Sequence, residues 1–177
     1  MAVVFLAGHG VTDPQQRFWF LPVGADLENL RSTAISKSDF EDTLRVLPSK
    51  VLMFIDACYA GRGIQNDRAA LPVGDGAADV TRFINELTST ENGVVMFASS
   101  TGRQLSRESP EWQNGAFTKA VVEGLGGKAD TNNDGAISIT ELDSYIASRV
   151  KDLTKGTQHP VTRKPGTIPD YPIALLR

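Results

Sequence analysis

The chain has 177 residues, 41% of them hydrophobic, which is enough for one domain to bury a core. Its formal charge of −3, with no block of Lys and Arg, excludes the footprint of a nucleic-acid binder, and no apolar run nears the roughly eighteen residues that span a bilayer. Cys58 is the one cysteine, so no internal disulfide framework exists; with no signal peptide ahead of the first strand, a reducing cytoplasmic setting is expected.

In chain order, residues 2–7 form a short apolar strand that ends in Gly8-His9-Gly10. Glycines give a histidine little to pack against and allow close backbone approach, so His9 is expected to be exposed in a cleft. Residues 10–16 read as a polar loop around Asp13-Pro14, and residues 18–23 as an aromatic strand, half of a hairpin. Ser36 or Ser38 caps a helix from about Asp39 to Leu47, whose Phe40, Leu44 and Leu47 share a face before Pro48 closes it.

Residues 51–61, VLMFIDACYAG, run from five apolar positions into Asp56-Ala57-Cys58. This reads as a buried parallel strand that delivers a thiol to its carboxyl end. A free cysteine is most often a small buried hydrophobe. Ligands and chemistry in open α/β sheets nevertheless gather beyond the carboxyl ends of strands, which favours a reactive Cys58. His9 lies 49 residues upstream, room for a helical crossover, so two parallel strands can carry the pair side by side. An imidazole there can take the thiol proton or stabilise the thiolate, activating a group whose intrinsic pKa is about 8.5.

Residues 62–78 hold glycines, a proline and no periodicity, so a mobile loop is expected, with Arg62 and Arg68 as sites of self-cleavage for an enzyme of basic specificity. Asp79 caps a helix to about Leu87, residues 93–98 form a third buried strand ending in Ser99-Ser100-Thr101-Gly102, and residues 114–118 begin another helix. Residues 130–141 fit the twelve-residue EF-hand spacing, with Asp130, Asn132, Asp134, the carbonyl of Ala136 and Glu141 as Ca²⁺ ligands and Gly135 at the sharp turn. The same residues fit Asx turns and a Ser138–Glu141 capping box without metal. Gly126-Gly127-Lys128-Ala129 separate the loop from the helix before it, and no second hand is visible. Residues 171–175 read as a short final edge strand, and His159 as a solvated loop side chain.

FLAGHG followed about 50 residues later by FIDACYAG resembles the caspase-like cysteine peptidases of family C14. The resemblance is closest to metacaspases and bacterial orthocaspases, which carry an aspartate where Asp56 stands. It implies a three-layer α/β/α sandwich with a mostly parallel central sheet, as a single domain over residues 1–177. A caspase-like fold opens with strands and helices absent ahead of Met1, so an N-terminally incomplete domain is expected, leaving an unpaired sheet edge with exposed apolar surface. Further domains or a preceding segment of the same protein are then expected partners.

The implied activity is peptide hydrolysis on a peptide or protein substrate, with Cys58 as nucleophile, His9 as general acid/base, backbone N–H groups of Gly10 and Cys58 as oxyanion donors, and no cofactor in the chemistry. Gln104-Leu105-Ser106-Arg107-Glu108 resembles the segment that helps shape the primary specificity pocket of metacaspases. Asp56 and Glu108 would then make an acidic pocket and direct cleavage after Arg or Lys. The plainer alternatives are a turn cap for Asp56 and a solvated charge for Glu108. A rival reading of the whole is a catalytically idle scaffold or a Ca²⁺-responsive partner-binding module, since fold alone does not imply chemistry.

Overall fold

A computed structural model describes residues 1–15, 17–47, 50–59, 85, 93–100 and 115–177, with the backbone alone at 57–59. The described elements are β1 (Ala2–Thr12), β2 (Phe18–Leu21), α1 (Leu30–Thr33), β3 (Ile35–Ser36), α2 (Lys37–Arg45), β4 (Val51–Tyr59), β5 (Val94–Ala98), α3 (Ala116–Glu123), β6 (Ala136–Ser138), α4 (Ile139–Thr154), β7 (Val161–Arg163) and β8 (Pro172–Leu175). The loop expected at residues 62–78 and the helix expected at 79–87, Asn85 apart, lie outside the described residues.

Six strands form one sheet in the order β3-β2-β1-β4-β5-β7. β4 pairs parallel with β1 on one side and β5 on the other, while β2 and β7 run antiparallel to their neighbours, so most strands share one direction. The apolar runs explain the centre: from Val51 to Ile55 and from Val94 to Ala98 every side chain is buried. The two-residue alternation splits these side chains between two cores. Leu52, Phe54, Val95 and Phe97 pack with Phe117 and Val121 of α3 and with Leu142, Ile146 and Val150 of α4. Val51, Met53, Ile55, Val94 and Met96 pack on the other face with Phe40 and Leu44 of α2. Helices therefore cover both faces, the three-layer α/β/α sandwich expected. Each such aliphatic or aromatic side chain contributes about 1.5–3 kcal/mol on burial.

Local signals set the helix ends. Ser36, not Ser38, caps α2: its hydroxyl accepts from the Asp39 N–H, and the Asp39 carboxylate accepts from the Ser36 hydroxyl and N–H, which lower the Asp39 pKa, the hydroxyl foremost. Ser138 and Glu141 close the same box at α4. α3 and α4 are joined at Glu123, whose carboxylate accepts from Arg149 Nε at 2.8 Å and the Tyr145 hydroxyl at 3.0 Å, with Lys119 Nζ at 3.2 Å. Gly124 permits the close approach, because a Cβ there would stand 2.7 Å from Leu142 Cδ1.

One expectation is corrected. β1 does not end at Ala7 but runs to Thr12, because β2 pairs its last four residues, Thr12 opposite Phe18 and His9 opposite Leu21. The glycines after α3 do part it from the loop at 130: Gly124–Lys128 make one π-helical turn, and Gly127, at φ 115° where only glycine is at ease, breaks the helical backbone. The final strand is the edge of a separate two-stranded sheet, paired with β6, Ile137 opposite Ala174.

Among the described residues β1 has an unpaired edge with apolar surface. β2 joins β1 only from His9 onward, so residues 2–8 pair on the β4 side alone among the described residues. Val3 and Phe5 are exposed along that stretch.

Candidate active site

Parallel pairing of β1 with β4 sets Ala7 opposite Asp56, His9 opposite Cys58 and Gly10 opposite Tyr59. Partners in a parallel pair share a face of the sheet, and neighbouring strands lie about 4.8 Å apart. Positions 9, 56 and 58 therefore fall together on the face that α3 and α4 cover below them, at the carboxyl ends of the two strands. His9 is exposed, as its flanking glycines predict. Gly10 is buried, and a Cβ on it would run into the Phe18 ring, so packing calls for glycine there. Both oxyanion candidates, Gly10 and Cys58, lie in the last pairs of their strands rather than beyond the strand ends, since β4 continues to Tyr59.

The turn after β1 is locked by Asp13. Its buried carboxylate accepts from the N–H groups of Gln15 and Arg17 at 3.0 and 2.9 Å, from Arg17 Nε at 2.7 Å and from Trp19 Nε1 at 3.0 Å. Burial pushes this carboxyl up, but the donors from Arg17 and Trp19 outweigh it and hold the pKa below the ordinary value. The Arg17 guanidinium also lies over the Trp19 ring, 5.7 Å from its centroid. The turn that follows β1 is thus fixed by Asp13, within the polar loop expected at residues 10–16, bonding to Arg17 and Trp19 beyond it.

Asp56 is half-buried and meets the first turn of α3. Thr118 Oγ1 donates to Asp56 Oδ2 at 2.6 Å. Neither Thr118 nor its neighbour Gly115 stood out in the sequence, where 62 residues separate Thr118 from Asp56 and no local signal ties them. Glu108 and its segment lie outside the described residues. Gln158 is wholly buried at the carboxyl end of β5, its Nε2 donating to the Ser99 carbonyl at 2.9 Å, and it holds the exposed His159 at that same end of the sheet.

The loop at residues 130–141 closes on itself. Asp130 accepts from the N–H groups of Asp134 and Gly135, Asn132 Oδ1 accepts from the Asp134 N–H, and Asp134 Oδ1 accepts from the Ala136 N–H. Both Glu141 oxygens are engaged, Oε2 by the Ser138 N–H and Oε1 by the N–H and hydroxyl of Thr131. These bonds, the Ser138 N–H foremost, lower the Glu141 pKa. Among the described residues no three of His, Cys, Asp and Glu are grouped as a metal-holding cluster, and the loop carries the hydrogen bonds of the Asx turns and the capping box.

A three-layer α/β sandwich that sets a histidine opposite a cysteine at the ends of adjacent parallel strands has the layout of the caspase-like class. Residues 1–167 match the family model described as the caspase domain of peptidase family C14, and the chain belongs to that family, whose members are generally cysteine peptidases. The crystal structure of protein GSU0716 from Geobacter sulfurreducens has a similar fold, with 13% identity, 94% of this chain covered and a TM-score of 0.51. This chain spans 66% of that one's length, and at such low identity the likeness concerns the fold alone. None of the curated proteins compared matches the chain. Among the described residues no helix is long and apolar enough to cross a membrane.

Proposed function

We propose that this chain is a cysteine endopeptidase that cleaves peptide bonds after Arg or Lys. The observation that carries the reading is the pairing of His9 with Cys58 across β1 and β4. In the proposed mechanism His9 takes the thiol proton, and the Cys58 sulfur attacks the scissile carbonyl. The Gly10 and Cys58 N–H groups receive the oxyanion, which collapses as the C–N bond breaks. The imidazolium returns its proton to the leaving amine, and a thioester remains. His9 then takes a proton from water, whose oxygen displaces the thiolate and releases the acid. Asp56, two residues before the nucleophile on the same face, supplies the negative charge that attracts a basic side chain and repels an acidic one. Glu108 is proposed as a second acidic wall.

Hydrolysis of fluorogenic peptides that differ only in an Arg, Lys or Asp before the bond tests this, alongside iodoacetamide labelling of Cys58. Cys58→Ala and His9→Ala should each abolish hydrolysis, since groups acting as a unit fail together. His9→Ala should also slow labelling. An ordinary thiol indifferent to His9, with no hydrolysis, would instead assign the chain as an idle scaffold or partner-binding module. Ca²⁺ at Asp130, Asn132, Asp134, Ala136 and Glu141 is a separate proposal outside the chemistry.

A further inference from the structure

Thr118 stands in the first turn of α3, and its hydroxyl reaches across to the strand that bears Cys58, donating to Asp56 Oδ2 at 2.6 Å. That length is typical of a hydroxyl bonded to an ionised carboxylate, stronger and more directional than a neutral pair. Gly115 leaves room for the same oxygen: a Cβ there would lie 2.8 Å from Asp56 Oδ2. The backbone of Gly115, φ −65° and ψ 148°, is one that any residue adopts, so the space beside Asp56, not the turn, is what calls for glycine. The Thr118 hydroxyl thus orients a half-buried carboxylate, in a space that the absence of a side chain at Gly115 leaves open. A plain link between helix and sheet has no need of a charge, which is costly to bury even in part.

We propose that Thr118 is a positioning residue for substrate specificity: it clamps the Asp56 carboxylate, with Gly115 leaving the room, in the orientation that receives the cationic side chain before the scissile bond. The inference rests on the reading of Asp56 as the acceptor for Arg or Lys. A carboxylate can accept about four hydrogen bonds, so a hydroxyl that fixes it and a guanidinium that it recognises are compatible. Without the clamp the carboxylate samples other rotamers, and the bound and transition states of a basic substrate lose the same contact. That raises KM and leaves the chemical step alone.

The test uses the full chain and two fluorogenic peptides identical except for Arg or Gln before the bond. Thr118→Val, which keeps the shape and removes the donor, and Gly115→Ala, which displaces Asp56 while keeping the hydroxyl, should each raise KM for the Arg peptide about tenfold. In both variants kcat, turnover of the Gln peptide and iodoacetamide labelling of Cys58 should hold, and Thr118→Ser should restore the Arg preference. If the Arg-to-Gln ratio stays at the wild-type value in the two variants, or both peptides lose turnover equally, the inference is overturned. Should Thr118→Val fail to fold, Gly115→Ala decides on the same readout. Wild-type protein that does not favour Arg over Gln, or keeps that preference in Asp56→Ala, refutes the assignment of Asp56 itself and with it this inference.

Discussion

Replacing Glu123 with glutamine removes one charge from the joint between α3 and α4 while leaving an oxygen to accept hydrogen bonds. Arg149 Nε at 2.8 Å, Arg149 Nη2 at 3.3 Å and the Tyr145 hydroxyl at 3.0 Å all donate to this carboxylate, and Lys128 Nζ lies 3.6 Å away. Chiefly through the Arg149 donors, the Glu123 pKa falls from 4.5 to about 2. At about 1.4 kcal/mol per pKa unit the undiscounted coupling is roughly 3 kcal/mol. Arg149 and Lys128 are 31% and 62% exposed, so solvent screening reduces the expected loss to about 1–2 kcal/mol.

For a chain of this size that is a fall in Tm of about 3–6 °C at pH 7, read by circular dichroism. The folded-state pKa lies below the unfolded value, so the contribution is full above about pH 4.5 and is lost as pH falls toward 2. By pH 3 more than half of the gap between wild type and Glu123→Gln should have closed. Equal melting at pH 7, or a gap as wide at pH 3 as at pH 7, would refute the reasoning.

Asp13→Ala leaves the Trp19 and Arg17 donors beside β1 without their acceptor, and should lower stability by about 2 kcal/mol in urea titrations. Because the Asp13 pKa is depressed, that contribution should be present above about pH 4 and fade as the pH falls further. If Ca²⁺ enters the loop at 130–141, isothermal calorimetry should show binding that Glu141→Gln weakens, together with a Ca²⁺-dependent rise in Tm that the variant lacks. A flat titration at millimolar Ca²⁺ would leave Glu141 as a helix cap only.

The parts legible in the sequence were those written locally. The apolar runs of β4 and β5 announced buried parallel strands, the serines at 36 and 138 with acids three residues on announced helix starts, and the glycines around His9 announced an exposed side chain. What escaped depends on distant partners. Gly8-His9-Gly10 looked like a strand end, yet the aromatic strand at 18–21 prolongs β1 by pairing with it. The contact of Thr118 with Asp56 spans 62 residues, and no spacing rule reaches across such a gap.

β4 has a neighbouring strand on both sides and helices on both faces, and from Val51 to Ile55 none of its side chains is more than 4% exposed. Amide hydrogens in such a strand exchange with solvent only when the protein opens as a whole, whereas those on the unpaired side of residues 2–8 exchange through small local fluctuations. Cys58 lies just past that doubly paired stretch, since β5 pairs β4 only as far as Ile55 opposite Ala98, and at Cys58 the described pairing is with His9 of β1. Conditions mild enough to loosen the edge of β1 should therefore reach the end of β4 that bears the thiol before they disturb residues 51–55.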